Sequence, residues 1–116
     1  MAKHPLKNER TIKMIKHTLF LGLNDKDTKT QKIGLLDAYQ IAMRLITAVG
    51  YEGGTISEST GFYTHQDGTL TIEKSLRIEI LFAEEDKTDA LIKDMKSVFN
   101  QESIAFQTET ITSELR

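Results

Sequence analysis

From Thr69 to Phe82 the apolar residues take alternate positions: Leu70, Ile72, Leu76, Ile78, Ile80 and Phe82, with Lys74 the one interruption. Between them stand Thr71, Glu73, Ser75, Arg77, Glu79 and Leu81, mostly polar. A period of two sustained this long predicts an antiparallel strand with one buried face and one wet face. The stretch 12–23 reads the same way, with Ile15, Leu19, Leu21 and Leu23 on one face. Thr55–Thr64 is patterned more weakly and is expected at a sheet edge. Gly61 within it suggests a bulge or a close backbone approach. A fourth strand is expected over Ser103–Thr112, with Ser113–Arg116 frayed.

Two stretches carry the helical period instead. Leu35, Ala38, Tyr39, Ala42, Leu45, Ile46 and Val49 form one stripe of an amphipathic helix. Thr30 is the expected N-cap of that helix, and Gly50 stands where a left-handed residue would end it. The second helix is expected over about Lys87–Phe99, with Leu91, Ile92, Met95, Val98 and Phe99 as its buried stripe. Glu84, Glu85 and Asp86 just before it complement the helix dipole. Asp67-Gly68 is a hairpin signal between the second and third strands. The order βαββαβ, with right-handed crossovers, predicts an α+β ferredoxin-like fold. Its four-stranded antiparallel sheet carries both helices on one face, with the first and third strands central.

Composition narrows the function classes. The chain has 116 residues and no cysteine. A chain of this length buries roughly two-thirds of its unfolded surface and can hold a core without staples. The lack of cysteine removes disulfides, thiolate metal sites and cysteine nucleophiles, and it fits a reducing compartment. The net charge of -2 gives no global field toward nucleic acid or an anionic membrane. The basic residues gather early: residues 1–17 carry Lys3, Lys7, Arg10, Lys13 and Lys16 against Glu9 alone. Residues 1–11 read as a flexible basic tail and 12–116 as a single domain. No signal peptide or bilayer-spanning run is visible, so a cytoplasmic protein is the expectation.

Asp25-Lys26-Asp27 begins like a calcium loop, but Lys29, Thr30 and Leu36 stand where a ligand, the turn glycine and the bidentate acid belong. Gly50, Gly53 and Gly54 lack the lysine and hydroxyl of a phosphate loop. No metal or cofactor is expected. His17 lies on the apolar side of the first strand, where a hydrogen-bonded core histidine is the ordinary outcome and a buried acid or base the sharper one. Tyr63 and His65 are two apart beside the hairpin and could form a proton-transfer pair. The open sheet face is expected to show Lys16, Thr18, Phe20, Glu73, Ser75, Arg77, Glu79 and Leu81. It has no stacking aromatics on the third strand, which removes an RNA-recognition reading. Its mixed charges suit either an internal Glu–Arg ladder or contact with a second copy.

Gly61-Phe62-Tyr63, Asp67-Gly68, Glu73-Lys74-Ser75 with the apolar strand to Phe82, and Gln101-Glu102-Ser103-Ile104 together resemble a family of small bacterial proteins of unknown function. Leu19-Phe20-Leu21-Gly22-Leu23 is similar as well. The resemblance spans about residues 18–106. It implies the same fold and no particular activity, and it draws attention to Glu73, Ser75, Gln101 and Glu102.

The expected function is a small binding or interaction module, homo-oligomeric through its sheet, with a regulatory ligand binder as one form. A small-molecule ligand fits this expectation; nucleic acid and membrane partners do not. The alternative is a small enzyme of the dimeric α+β barrel or isomerase type that uses His17, Tyr63 or His65. That alternative requires His17 and Tyr63 to line one cavity.

Overall fold

A computed structural model describes residues 11–114 and 116. The tail assigned to residues 1–11 lies, apart from the backbone of Thr11, outside the described residues. Six elements follow in order: β1 (Thr11–Gly22), α1 (Leu35–Ala48), β2 (Thr55–Thr64), β3 (Leu70–Leu81), α2 (Glu85–Val98) and β4 (Ala105–Glu114). The strands form one antiparallel sheet in the order β2-β3-β1-β4. This is the ferredoxin-like arrangement, with β1 and β3 central and β2 at an edge.

The core follows from the two periods. Leu19 and Leu21 of β1 meet Leu76, Ile78 and Ile80 of β3 on one sheet face. Ala38, Ala42 and Ile46 of α1, and Leu91 and Met95 of α2, close over them. Small residues at Ala38 and Ala42 let α1 approach the sheet closely. Both helices end in the same way. Gly50 (φ 106°) and Asn100 (φ 50°) turn left-handed, and the next residues, Tyr51 and Gln101, donate their N–H groups back to Ile46 and Lys96. This closing turn satisfies carbonyls that the helix itself leaves open.

Several expectations are corrected. Thr30 does not cap α1. The helix starts at Leu35 behind Gly34, with no side-chain cap, because residues 25–30 are held in a turn of their own. Helix α2 begins two residues earlier than expected, so Glu85 and Asp86 lie in its first turn. Gly61 makes no bulge: it pairs directly with Glu73 in an unbroken ladder. Strand β4 runs through Glu114, so Ser113 is paired with Ile12 rather than frayed.

The largest correction concerns β3. Leu76, Ile78 and Ile80 are fully buried, but Leu70 and Ile72 are more than half exposed. Pairing of β1 with β3 stops at Gly22–Ser75, extended by Leu23 N–H donating to the Lys74 carbonyl. Beyond that point, among the described residues, β2 and β3 pair only with each other and no helix reaches over them. The alternation continues into a two-stranded arm whose helix-side face, with Phe62, Leu70 and Ile72, is left exposed by the described residues. Its turn at His65–Thr69 closes through Gly68 (φ 89°), and the Asp67 carboxylate accepts from the Thr69 hydroxyl and N–H. At the other end of β3, Phe82 departs from the buried row that the alternation predicts. It turns left-handed (φ 54°) and is 57% exposed.

Candidate functional site

Two clefts and the open sheet face carry the polar chemistry. The larger cleft has a volume of about 500 Å³. It lies where the α1–β2 turn meets the junction of β3 and α2. Tyr51, Glu52, Gly53, Gly54 and Thr55 form one side; Glu79, Leu81, Phe82, Glu84 and Lys87 form the other. A Cβ on Gly54 would stand 3.2 Å from the Glu79 carbonyl, so a side chain there would crowd the ladder. Lys87 Nζ lies 2.9 Å from Glu84 and 5.5 Å from the centre of the Tyr51 ring. The hydrogen bond to Glu84 raises the Lys87 pKa above its ordinary value. Phe82 is a bulky residue held in a sparsely populated backbone region, and strain of this kind clusters at binding sites.

The wall of this cleft is tied to the core through buried hydroxyls. Tyr51 Oη accepts the Glu84 N–H at 2.9 Å, and it lies 2.9 Å from the Glu84 carbonyl and 2.7 Å from Thr88 Oγ1. Thr88 Oγ1 in turn lies 2.8 Å from His17 Nδ1. His17 is 2% exposed and meets the edge of Phe106, with ring centres 4.8 Å apart. His17 is thus a hydrogen-bonded core histidine.

The second cleft, about 470 Å³, lies between the β2–β3 arm and the loops after β1 and α2. His65, Thr71 and Glu73 face Asn24, Asp25, Gln101 and Glu102 across it. Its floor is stapled. Asp25 accepts the N–H groups of Asp27 and Thr28 and the Asn100 side-chain amide, with Lys32 at 3.8 Å. The bond from Asn100, followed by the two backbone bonds, lowers the Asp25 pKa to about 2. Gln101 donates to the Asn24 and Phe99 carbonyls, so it secures the end of α2. The sequence Asp25-Lys26-Asp27 is therefore a loop lock. Among the described residues no cluster of three or more His, Asp or Glu could hold a metal ion.

On the open face an ion-pair row crosses three strands. Glu109 lies 3.6 Å from Lys16, Lys16 lies 2.8 Å from Glu79, and Arg77 lies 3.2 Å from Glu79. Arg77 also sits over the Phe20 ring at 5.9 Å. The hydrogen bond from Lys16 lowers the Glu79 pKa, and the same bond raises that of Lys16. Ser75 Oγ meets Ser59 Oγ at 2.6 Å. Glu73 accepts the Asn24 N–H at 2.8 Å.

The structure thus brings Phe20, Arg77 and Glu79 together, and it joins Tyr63 to His65 with ring centres 4.9 Å apart. His65 Nε2 bonds Thr71 Oγ1 at 2.7 Å rather than a reactive partner. It does not unite His17 with Tyr63. His17 pairs with Ile80 on the helix side of the sheet, whereas Tyr63 pairs with Thr71 in the open-face register. The residue pattern does not point to Tyr51, Phe82, Thr88 or Lys87 as site residues. One signal is present for Tyr51: an apolar residue directly after a helix-ending glycine packs back on its helix.

No protein-family model matches the chain, and no curated protein matches it. Solved structures do. A phage SAM lyase in complex with S-methyl-5'-thioadenosine is similar at 21% identity, over 88% of this chain and 90% of that one, with a TM-score of 0.64. CutA from Synechococcus elongatus is similar at 17% identity, over 90% of this chain and 85% of that one, with a TM-score of 0.60. GlnK from B. subtilis, in complex with ATP, is similar at 13% identity, over 85% of this chain and 82% of that one, with a TM-score of 0.57. These are small proteins of the same fold. At such identities the likeness establishes the fold alone.

Proposed function

We propose that this chain is a small-molecule-binding regulatory module that takes an adenosine-containing ligand and assembles from several copies through its open sheet face. The observation that carries the reading is the cleft beneath Phe82. The exposed Phe82 ring, Leu81 and the glycine pair supply apolar lining against which a base would pack. The carboxylates of Glu52 and Glu79 accept from a ligand's amino or hydroxyl groups, and Lys87 supplies a cation for an acidic end. Glu79 belongs both to the cleft and to the open-face ion-pair row. A second copy seated on that face would therefore wall the cleft and withdraw both from water. Two proteins of the same fold are known in complex with an adenosine compound, S-methyl-5'-thioadenosine in the phage lyase and ATP in GlnK. No helix among the described residues is long and apolar enough to cross a membrane.

The test is native mass spectrometry with calorimetric titration of ATP and S-methyl-5'-thioadenosine into the purified chain. An oligomer that binds either compound, with binding abolished in Phe82→Ala, supports the reading. A bare monomer that binds neither overturns it. The same spectra, taken after incubation with SAM, test a second reading, an enzyme consuming that compound, which the phage SAM lyase neighbour favours. Consumption of SAM would replace the regulatory reading with the enzymatic one.

A further inference from the structure

The buried chain from His17 to Glu84 has a polarity that its distances determine. Three contacts lie at hydrogen-bond distance: His17 Nδ1 to Thr88 Oγ1 at 2.8 Å, Thr88 Oγ1 to Tyr51 Oη at 2.7 Å, and Tyr51 Oη to the Glu84 carbonyl at 2.9 Å. Each contact needs one proton. The two hydroxyls supply two. A carbonyl supplies none, and the Glu84 N–H is already spent on Tyr51 Oη from another direction. The third proton has to come from the imidazole. With a proton on Nδ1 the chain runs one way without a gap: His17 donates to Thr88, Thr88 to Tyr51, and Tyr51 to the Glu84 carbonyl. With the ring proton on Nε2 alone, one contact sets two lone pairs against each other. Thr88 is 0% exposed and Tyr51 7%, so water does not relieve that contact.

We propose that His17 is the positioning residue of the cleft, acting through an Nδ1 proton that orders Thr88, Tyr51 and the start of α2. Tyr51 and Glu84 are cleft wall, whereas His17 stands on the sheet beneath α2 and does not line the cleft. The imidazole therefore sets where the Tyr51 ring and the Glu84–Lys87 turn sit without touching a ligand. The chain spans three separate parts of the fold, β1, α2 and the α1–β2 turn, and nothing else among the described residues hydrogen-bonds the Tyr51 hydroxyl. The geometry stands independently of the ligand; the effect on affinity rests on the adenosine reading above.

The deciding measurement is a long-range ¹H–¹⁵N spectrum of the wild-type protein with His17 neutral. It distinguishes the ring nitrogen that carries the proton and needs no variant. A proton on Nδ1 is expected; a proton on Nε2 overturns the proposal. Variants then test positioning. His17→Asn places an amide N–H where Nδ1 stands, and Thr88→Ser keeps the hydroxyl. Both are expected to hold ATP or S-methyl-5'-thioadenosine as the wild type does. Thr88→Val removes the link and is expected to weaken binding about tenfold while the core stays folded. It should also move the backbone amide signals of Glu84 and Lys87, with Thr88→Ser leaving them in place. Unchanged affinity and unchanged amides in folded Thr88→Val overturn the positioning role. If the wild type binds neither compound, the ligand reading falls. The ring proton and the amide signals then decide this proposal by themselves.

Discussion

Two ends of one strand differ more than any two strands do. In the centre of the sheet, Leu76, Ile78 and Ile80 are sealed between β1, β2 and both helices. Six residues before Ile78 in the same alternation, Ile72 is 63% exposed, and its cross-strand partner Phe62 is 77% exposed. Lys74, the one break in the alternation, stands where the two ends part, but the residues on either side of it are aliphatic alike. What separates them is cover. A period of two states which residues share a face, and the lengths of the neighbouring elements decide how far along the strand that face is buried. A two-stranded ribbon is marginal without support. The arm is held by its ladder, by the Lys74–Glu58 ion pair at 2.9 Å and by the lock at Asp67.

The largest test of this contrast is a pair of truncations. Ile78→Ala opens a cavity in the sealed centre and is expected to cost about 2–5 kcal/mol in chemical denaturation. Ile72→Ala on the arm is expected to stay within about 0.5 kcal/mol for the isolated chain. A large loss at Ile72 would mean that the arm is covered, and its dependence on protein concentration would identify a second copy as the cover.

Acid titration is the next. The Asp25 carboxylate has its pKa lowered to about 2 by Asn100 and two backbone donors. A depressed carboxylate contributes stability in full above its unfolded value, and loses it as the pH falls through the folded one. Stability should therefore drop between about pH 4 and pH 2. Asp25→Asn should be less stable at neutral pH and show a shallower loss over that window. Identical acid profiles for the two proteins would dismiss the lock.

The smallest effect separates two glycines. Gly61 on the arm has a negative φ, and a Cβ added there would meet nothing within 4 Å, so Gly61→Ala is expected to stabilise by about 0.4–1 kcal/mol. At Gly22, at the margin of the centre, the same atom would stand 2.7 Å from the Glu73 carboxylate. Gly22→Ala should swing Glu73 away and speed amide exchange at Asn24, which loses its acceptor. Slow exchange at Asn24 in that variant would show that Glu73 does not hold the loop.

Much of the architecture was legible in the residue pattern. The two periods marked both helices and the central strands β1 and β3, β2 and β4 carried weaker signals, Gly50 marked a left-handed helix end, and Asp67-Gly68 marked the hairpin. The start of α1 was not legible, because Thr30 is a good capping residue whose backbone is already engaged with Asp25. The candidate site was legible only in part. Glu79 and Arg77 stood out as charges on an open face, whereas neither Tyr51, just past a helix-ending glycine, nor Thr88, within a helix, belongs to a pattern that points to a site.

The order of elements and which residues share each face follow from backbone preferences and from neighbours within a few positions, so they are written in the residue pattern. The tertiary structure alone decided where burial ends along β3, that Phe82 leaves the core, and that His17, Thr88 and Tyr51 meet. Those residues are 71 and 37 positions apart in their bonded pairs. Contacts between distant elements leave no periodic trace, because they depend on how helices and strands of particular lengths stack, and stacking is settled only when the whole core closes.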